Sequence, residues 1–533
     1  MTVDRRRDAV VATLAVVVAA GPVIVAAVRA AAGPWVPVSD AAYFTTRSLD
    51  VGTEHHPLLG AWSSGSTGLS RSVNNLGPLQ LDLLAPFTRV APWGGTAIGV
   101  GAVHVASILV IAWLVRRIGG DRLVLPAMAA VSLLAWQLGS LMLITPNQHQ
   151  YLVLPYLAFL VAAWAVATGD RWAIVPVVAL GSLCTQTHLS YPVLVGLAAV
   201  PMVVGLVVAR RSHPTSGDVR PFVVSAALAA VLWAQPAIDQ IAGSGNLLGV
   251  LSSSGEGSGD GPSPTTALRI VSGVVLSPRG YLRPGWARYV TIEAFGGDGA
   301  TLALVALVVG LVVGSVVAWR RARPRAGAGL AVAATALVAA VVDPWVLPPS
   351  PVFGLLPNNY RSLWSLTALL VLGAGCLATR LARAGRAAAT TAVAALLGTA
   401  LAVTSVANLP ASSQVNQLAD ARDQASATEA VIAALDDVDF EGPVLIDDSQ
   451  LYFGQPYTFP TLAWMTSRGI EWRFDDELQF RRFGDGRRAD GTERQRLVMY
   501  YADDAVARRD APETVVYVDA RQPISFTLLE LDP

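Results

Sequence analysis

A polar stretch near the N-terminus carries residue types that acid–base chemistry needs. Residues 39–64, "SDAAYFTTRSLDVGTEHHPLLGAWSS", directly follow an apolar run and contain five titratable acids and histidines: Asp40, Asp50, Glu54, His55 and His56. Asp40 lies where the chain leaves the apolar run, so its carboxylate is partly desolvated. Desolvation of a charge costs free energy unless the charge is paired or binds a metal ion, which suggests a functional role. We expect Asp40 to be a general base or a metal ligand, and the other four to be solvated loop residues, of which His55 is the candidate for substrate contact.

Two histidines lie in other polar segments, "TPNQHQY" (145–151) and "CTQTHLSYP" (184–192). We expect His149 and His188 at the same bilayer face as Asp40, where the three could share one cavity between helices. The alternative is that both are interfacial histidines bonded to neighbouring helix ends. Aromatic residues nearby, namely Tyr43, Trp62 and Tyr191, could stack on the face of a ligand ring.

Arginines suited to phosphate lie in "LSPRGYLRPGWARY" (276–289) and "LLPNNYRSLW" (355–364). The candidates are Arg279, Arg283 and Arg361, since one guanidinium group can donate two parallel hydrogen bonds to the oxygens of a phosphate. The alternative is that these side chains only reach the lipid head groups. Acid pairs at 447–448, 475–476 and 503–504 are expected to be solvated.

Composition places most of this chain in lipid. Of 533 residues, 53% are hydrophobic and 14% charged, with a mean hydropathy of +0.50, whereas soluble domains are about a quarter charged. Eleven apolar segments approach the ~20 residues that a bilayer requires: 9–31, 96–115, 123–144, 151–168, 172–187, 189–209, 221–238, 300–319, 327–346, 362–379 and 387–407. The net charge of zero argues against a nucleic-acid partner. The two cysteines lie in separate apolar runs, so we expect neither a disulfide nor a cysteine metal site.

The placement of arginine predicts the orientation. Every second loop is short and basic, as in "RRIGGDR" (116–122) and "RRARPR" (320–325), which is typical of cytoplasmic loops. The N-terminus is therefore expected inside and the C-terminus outside. Two long loops then face outward, and we call them loop 1 (32–95) and loop 2 (239–299). All basic residues are Arg, a composition typical of GC-rich bacteria.

The last 126 residues or so differ from the rest, since they are dense in acids and arginines. "GPVLIDD" (442–448) and "ETVVYVDA" (513–520) predict strands, and "TLAWMTSRGIEWRF" (461–474) predicts a helix and then a strand. We therefore predict a polytopic α-helical membrane domain over 1–407 and a small extracytoplasmic α/β domain over 408–533, the tail domain. Residues 411–435 are expected to form a helical connector.

Several of these motifs resemble a known family. "SDAAY", "HPLLGAWSS", "NNLGPLQLDLLAPF", "TQTHLSYP" and "QPAIDQIAGSGNL" are similar to segments of the polytopic glycosyltransferases of the C superfamily (GT-C fold), particularly actinobacterial ones. The resemblance covers residues 1–380. It implies a polyprenyl-phosphate sugar as donor, an extracytoplasmic cell-envelope glycan, lipid or protein as acceptor, and a catalytic or metal-coordinating acid in loop 1, the place of Asp40.

This chain differs from similar chains of that superfamily at two places. Similar chains often have His-Pro-Gly-Pro where this one has residues 75–78, and often a second acid beside the first, where Ser39 and Ala41 stand here. The sequence therefore leaves undecided whether the protein binds a divalent ion (Mg²⁺, Mn²⁺ or Ca²⁺). Asp40 and His188 are the candidate ligands for such an ion, and no other cofactor is expected. We expect a multi-pass protein of the plasma membrane with its active face outside. The alternatives are a flippase for lipid-linked glycans and a non-catalytic assembly protein of the cell envelope.

Overall fold

The computed structural model of the chain is mostly helical. It describes residues 3–33, 35–68, 71–212, 218–253, 262–277, 296–346, 357–385, 387–409, 419–451 and 455–531. The helices of the membrane part are α1 Val3–Ala32, α2 Asp40–Leu49, α3 Leu79–Thr88, α4 Pro92–Gly119, α5 Val124–Leu138, α6 Gln148–Tyr151, α7 Val153–Ala167, α8 Ile174–Thr187, α9 Tyr191–Ser212, α10 Arg220–Leu232, α11 Ala234–Ala242, α12 Asn246–Ser253, α13 Pro264–Val275, α14 Asp298–Arg320, α15 Pro324–Val346, α16 Ser362–Ala384 and α17 Ala387–Ala407. The helices of the tail domain are α18 Ala419–Leu435, α19 Gln455–Ser467, α20 Glu477–Phe483 and α21 Asp503–Ala507.

Nine of the described helical segments are long and apolar enough to cross a membrane, and the bent pair α10–α11, with an angle of 49° between its helices, gives a tenth candidate. The polytopic helical fold is thus confirmed. The predicted segment 172–187 corresponds to α8, which has 14 residues and falls short of the length that a bilayer requires. The expected eleven spans are therefore nine or ten by length and composition over the described residues.

The membrane helices pack around α7. This helix is apolar on every side and entirely buried, against α4, α8, α9, α15 and α16, as expected of a helix without a polar face. In contrast, α14 and α17 expose most of their apolar side chains. Those surfaces are suited to contact with lipid tails.

Loop 1 contains two helices, α2 and α3. In α3, Leu81 and Leu84 are buried while Leu83 is exposed. Helix α3 packs against both α4 and α2. Loop 1 is therefore a packed layer on one end of the helix bundle.

The tail domain contains a five-stranded sheet. Its strands are β1 Val444–Asp447, β2 Trp472–Arg473, β3 Gln495–Tyr501, β4 Thr514–Val518 and β5 Ile524–Glu530, in the order β2-β1-β3-β5-β4. Strand β1 runs parallel to β2 and β3, whereas β5 runs antiparallel to β3 and β4. The predicted strands at 442–448 and 513–520 are present as β1 and β4, and the predicted helix and strand in 461–474 as α19 and β2. Strands β3 and β5 are not among the predicted elements.

Candidate functional site

Asp40 is the first residue of α2. The residue before it, Ser39, has φ 51° and ψ −133°, a conformation that residues with a side chain rarely adopt. Strain of this kind persists only where the surroundings enforce it, and it is often found at functional sites. The chain therefore turns sharply into α2 at the residue that leads the sequence-based candidates.

The Asp40 residue is exposed to solvent, yet burial among protein atoms raises the pKa of its carboxyl group. The guanidinium of Arg482 lowers that pKa in part. Asp40 is therefore both accessible to solvent and surrounded by protein atoms, as expected of a residue that lines a recess in the surface. Within the described part of the chain, no hydrogen bond or ion pair engages the Asp40 carboxylate. This carboxylate is available to a ligand.

A hydrogen bond attaches α2 to the tail domain one helical turn beyond Asp40. The Tyr43 hydroxyl donates to the backbone carbonyl of Arg482 at 2.8 Å. Because Asp40 and Tyr43 are three positions apart on α2, they lie on one face of the helix. The bond therefore brings α20, which carries Arg482, to the face of α2 that presents Asp40.

Aromatic packing strengthens this junction. The Tyr43 ring lies 5.6 Å from Phe459 and 5.3 Å from Phe483, both in the tail domain, measured between ring centroids. Tyr43 and Phe44 belong to the same buried apolar cluster as the core of the tail domain. Helix α2 is thus part of that core, although it lies some 400 residues earlier in the sequence. Tyr43, a candidate for stacking on a sugar, is buried in this contact instead, with 6% of its surface exposed.

Arg482 is held between two aromatic rings. Its guanidinium carbon lies 5.7 Å from the centre of the Trp62 ring and 5.5 Å from that of Phe459, distances at which a cation is attracted by a ring face. Its Nη1 donates to Gln479 Oε1 at 3.5 Å. No carboxylate of the described residues lies within ion-pair distance of Arg482, so most of its donors are unused.

A second carboxylate, that of Asp448, interacts electrostatically with Arg482. Asp448, at the end of β1, is 8% exposed and accepts hydrogen bonds from Gln479 Nε2 at 2.8 Å and Thr458 Oγ1 at 3.3 Å. Burial raises the pKa of Asp448 to about 6, while Arg482 opposes the shift. The expectation that the 447–448 pair is solvated is wrong for Asp448, because its partners fold over it. Sequence reasoning also missed Arg482 itself.

Other charged residues of loop 1 serve the contact with the tail domain. Asp50, expected to be solvated, is 1% exposed and bonds to Arg47 Nη1 at 2.5 Å and Arg487 Nη2 at 3.0 Å. Arg487 continues to Glu471 at 3.1 Å, and Glu471 meets His55 Nε2 at 3.2 Å. These ion pairs run from α2 through the tail domain and back to loop 1.

The described residues contain one group of three side chains that could hold a metal ion: Glu54, His55 and Glu471, with ligand atoms within 4.8 Å of one another. Arg487 competes for Glu471 there, since its guanidinium is 3.1 Å away. Neither Asp40 nor His188 belongs to such a group. The nearest charge to Asp40 is a cation, and a cation disfavours a metal ion beside it. The donor set at Asp40 therefore does not fit a divalent ion.

His149 and His188 lie against each other, with ring centroids 4.2 Å apart. The Gln148 side chain bonds to the Thr187 carbonyl and thereby ties the two helix ends together. Arg361 is 4% exposed and close enough to His149 to act on it electrostatically. These side chains form a second polar group at the helix ends, and their convergence with Asp40 on one cavity stays a prediction. Arg279 and Arg283 lie outside the described residues.

A further acid of loop 1, Asp82, is not among the candidates that the sequence suggests. Asp82 on α3 accepts a hydrogen bond from Gln235 Nε2 at 3.0 Å, and its other oxygen is buried without a hydrogen-bond partner in the described chain. Burial raises the pKa of Asp82. This acid connects loop 1 to α11 rather than to the tail domain.

The segment 75–78 also has a clear structural role. Asn75 is buried, donates to the Ala61 carbonyl at 2.8 Å and accepts from the Leu189 amide at 3.0 Å. The Gly77 amide donates to the Gln186 carbonyl at 3.2 Å. This segment therefore fastens loop 1 to the end of α8, beside His188.

Comparison with solved structures finds distant similarity. ArnT from Cupriavidus metallidurans in the apo state is 13% identical at a TM-score of 0.46, over 91% of this chain and 93% of that one. The oligosaccharyltransferase AglB from Archaeoglobus fulgidus, in complex with an inhibitory peptide and a dolichol-phosphate, is 13% identical at 0.42, over 85% of this chain and 63% of that one. A complex of the Archaeoglobus fulgidus oligosaccharyltransferase with Zn and sulfate is 11% identical at 0.42, over 91% and 67%.

These neighbours are glycosyltransferases of the C superfamily, the family that the sequence resembles. No family model and no curated protein matches the chain.

Proposed function

We propose that this chain is a membrane glycosyltransferase with Asp40 as general base. It would move a sugar from a polyprenyl-phosphate donor to an extracytoplasmic acceptor of the cell envelope, at the outer face of the plasma membrane. The observation that carries the proposal is the state of Asp40: its carboxylate is unpaired and reachable by solvent, and surrounding protein raises its pKa. Such a carboxylate is a stronger base than an ordinary aspartate and is suited to take a proton from a hydroxyl group.

In the proposed transfer step, the acceptor hydroxyl attacks the anomeric carbon of the donor sugar, and its proton passes to an Asp40 carboxylate oxygen. The bond between the anomeric carbon and the phosphate oxygen breaks, and the lipid phosphate leaves with the electron pair. Arg361, buried beside His149, is suited to stabilise the charge that develops on this phosphate. Because the donor set at Asp40 does not fit a divalent ion, no step is assigned to a metal.

The test replaces Asp40 with Asn and measures sugar transfer from a radiolabelled polyprenyl-phosphate sugar in proteoliposomes. A general base typically contributes about 10²–10⁴-fold to the rate, so the variant is expected to lose activity by that factor. Asp475→Asn is the matched control, because Asp475 is an exposed acid of the tail domain. A folded Asp40→Asn variant with wild-type turnover would remove the assignment.

A further inference from the structure

The face of α2 that presents Asp40 meets the tail domain at Tyr43, whose neighbours there are Phe459, Phe483 and Arg482. We propose that Arg482, the charged member of this group, is a positioning residue that keeps Asp40 ionised, so that the catalytic centre requires the tail domain and does not require a divalent ion. This inference rests on the function proposed for Asp40. It assigns to the tail domain a part of the active centre rather than a separate binding role.

The Tyr43 bond to the Arg482 carbonyl fixes the backbone of α20 against α2 at 2.8 Å, and Trp62 and Phe459 hold the guanidinium from two sides. Trp62 belongs to loop 1 and Phe459 to α19, so the side chain lies between the two parts of the protein. A guanidinium fixed in this way is pre-organised for the charge that it faces.

Arg482 acts on Asp40, and around Arg482 the titratable groups are Tyr43 and Asp40 on α2, Asp448 after β1 and Asp476 at the start of α20. Gln479 donates to Asp448 at 2.8 Å and accepts from Arg482 at 3.5 Å. An amide therefore links the guanidinium to Asp448, and no carboxylate of the described residues pairs with it directly.

Arg482 occupies the electrostatic role of a metal ion. A bound cation would keep the carboxylate ionised, and Arg482 supplies this effect as a permanent charge. Among the described side chains, no group of three or more acids, histidines or cysteines that could hold a metal ion includes Asp40. The protein thus provides the cation itself, from a domain that folds hundreds of residues later in the chain.

The experiment compares the full-length wild type with Arg482→Gln, Arg482→Lys and the control Arg481→Gln, in proteoliposomes. Arg481 lies next to Arg482 on α20, but it is exposed and pairs with Glu477 at 3.5 Å. kcat and KM are measured from about pH 5 to pH 9, with and without prior treatment with EDTA.

Removal of the positive charge makes Asp40 easier to protonate. The acid limb of the kcat profile is therefore expected to move to higher pH by about one pH unit or more in Arg482→Gln. Arg482→Lys should keep the acid limb near its wild-type position with a lower kcat, because lysine restores the charge but not the fork of donors. Arg481→Gln and EDTA treatment should leave the profile unchanged.

Two results would overturn the inference: an unchanged acid limb in a folded Arg482→Gln, or loss of activity with EDTA that Mn²⁺ or Mg²⁺ restores. If Arg482→Gln does not fold, Arg482→Leu replaces it, because an apolar side chain suits the space between Trp62 and Phe459. Folding is checked by limited proteolysis at the junction of loop 1 and the tail domain.

A readout independent of catalysis separates this inference from the proposed function. Infrared difference titration of the wild type against Asp40→Asn isolates the protonation of the Asp40 carboxyl group. If the wild type transfers no sugar but Arg482→Gln still moves this titration to higher pH, the proposed function fails and the role of Arg482 stands. If the wild type transfers sugar and neither the titration nor the acid limb moves, the role of Arg482 fails alone.

Discussion

Asp50 and Arg487 form a buried ion pair across 437 positions of sequence. The Arg487 Nη2 lies 3.0 Å from Asp50 Oδ1, and the two side chains expose 3% and 1% of their surface. Arg47 meets the other oxygen of Asp50 at 2.5 Å. Asp50 is therefore the acid that both arginines share, while Arg487 also pairs with Glu471 at 3.1 Å.

Removal of the Asp50 charge should weaken the contact between loop 1 and the tail domain and lower the free energy of unfolding. Asp50→Asn leaves Arg47 and Arg487 without their common counter-charge, and breaking a buried pair costs about 3–5 kcal/mol. The measurement is unfolding in detergent, followed by tryptophan fluorescence. Arg481→Ala is the control, because its exposed pair with Glu477 should change stability by less than about 1 kcal/mol. Equal stability of the two variants would contradict a buried clamp.

Asp448 should make the tail domain less stable as pH rises. Burial raises its folded pKa to about 6 from the ordinary value of 3.8. The protonated form is therefore favoured in the folded state, and this contribution is fully present below about pH 4 and lost as pH rises through 6. A difference of about two in pKa corresponds to about 3 kcal/mol.

Asp448→Asn isolates this effect, since an asparagine oxygen can still accept from Gln479 but carries no charge. Denaturation of wild type and variant is measured at about pH 4 and pH 8. We expect the variant to gain stability relative to the wild type at the higher pH. A stability difference that is the same at both values would mean that Asp448 titrates normally.

The membrane-spanning helices of this fold can be predicted from sequence, whereas the contact between loop 1 and the tail domain cannot. An apolar run of about twenty residues satisfies its own backbone hydrogen bonds as a helix, so sequence alone identifies most spans. The polar neighbours of Asp50 and Asp448 in sequence predict that both are solvated. Their partners, Arg487 and Gln479, come from distant or later segments, and nothing local indicates that the chain folds back over them.

Helical periodicity predicts part of the surroundings of Arg482. In α20, Gln479 and Arg482 are three positions apart and share a face, whereas Arg481 is four positions from Glu477 and lies elsewhere. Spacing along the helix is therefore enough to distinguish the two adjacent arginines. It does not predict that the face of Arg482 meets α2, since that depends on the packing of Tyr43 into the tail domain.

Gly77→Ala should loosen loop 1. A Cβ at Gly77 would lie 2.7 Å from the amide carbon of Gln186 and 2.8 Å from Pro236 Cγ, so one of these must move. Overpacking of this kind costs about 1–3 kcal/mol. Gly299→Ala is the control, since a Cβ there meets no atom within 4 Å. Thermal unfolding in detergent should therefore occur at a lower temperature only for Gly77→Ala, and a neutral Gly77→Ala would show that α8 yields easily.

The two acids of loop 1 with raised pKa values, Asp40 and Asp82, should respond differently to loss of charge. Asp82 accepts from Gln235 at 3.0 Å and joins α3 to α11, so Asp82→Asn, which retains an acceptor oxygen, should keep sugar transfer within a few-fold of wild type. Asp40→Asn removes the only carboxylate that faces Arg482 from loop 1 among the described residues, and should lower kcat by about 10²-fold or more. Initial rates of transfer from the same polyprenyl-phosphate sugar, measured for both variants at equal amounts of folded protein, decide between them. A reversed order of effects would move the general base from α2 to α3 and separate it from the tail domain.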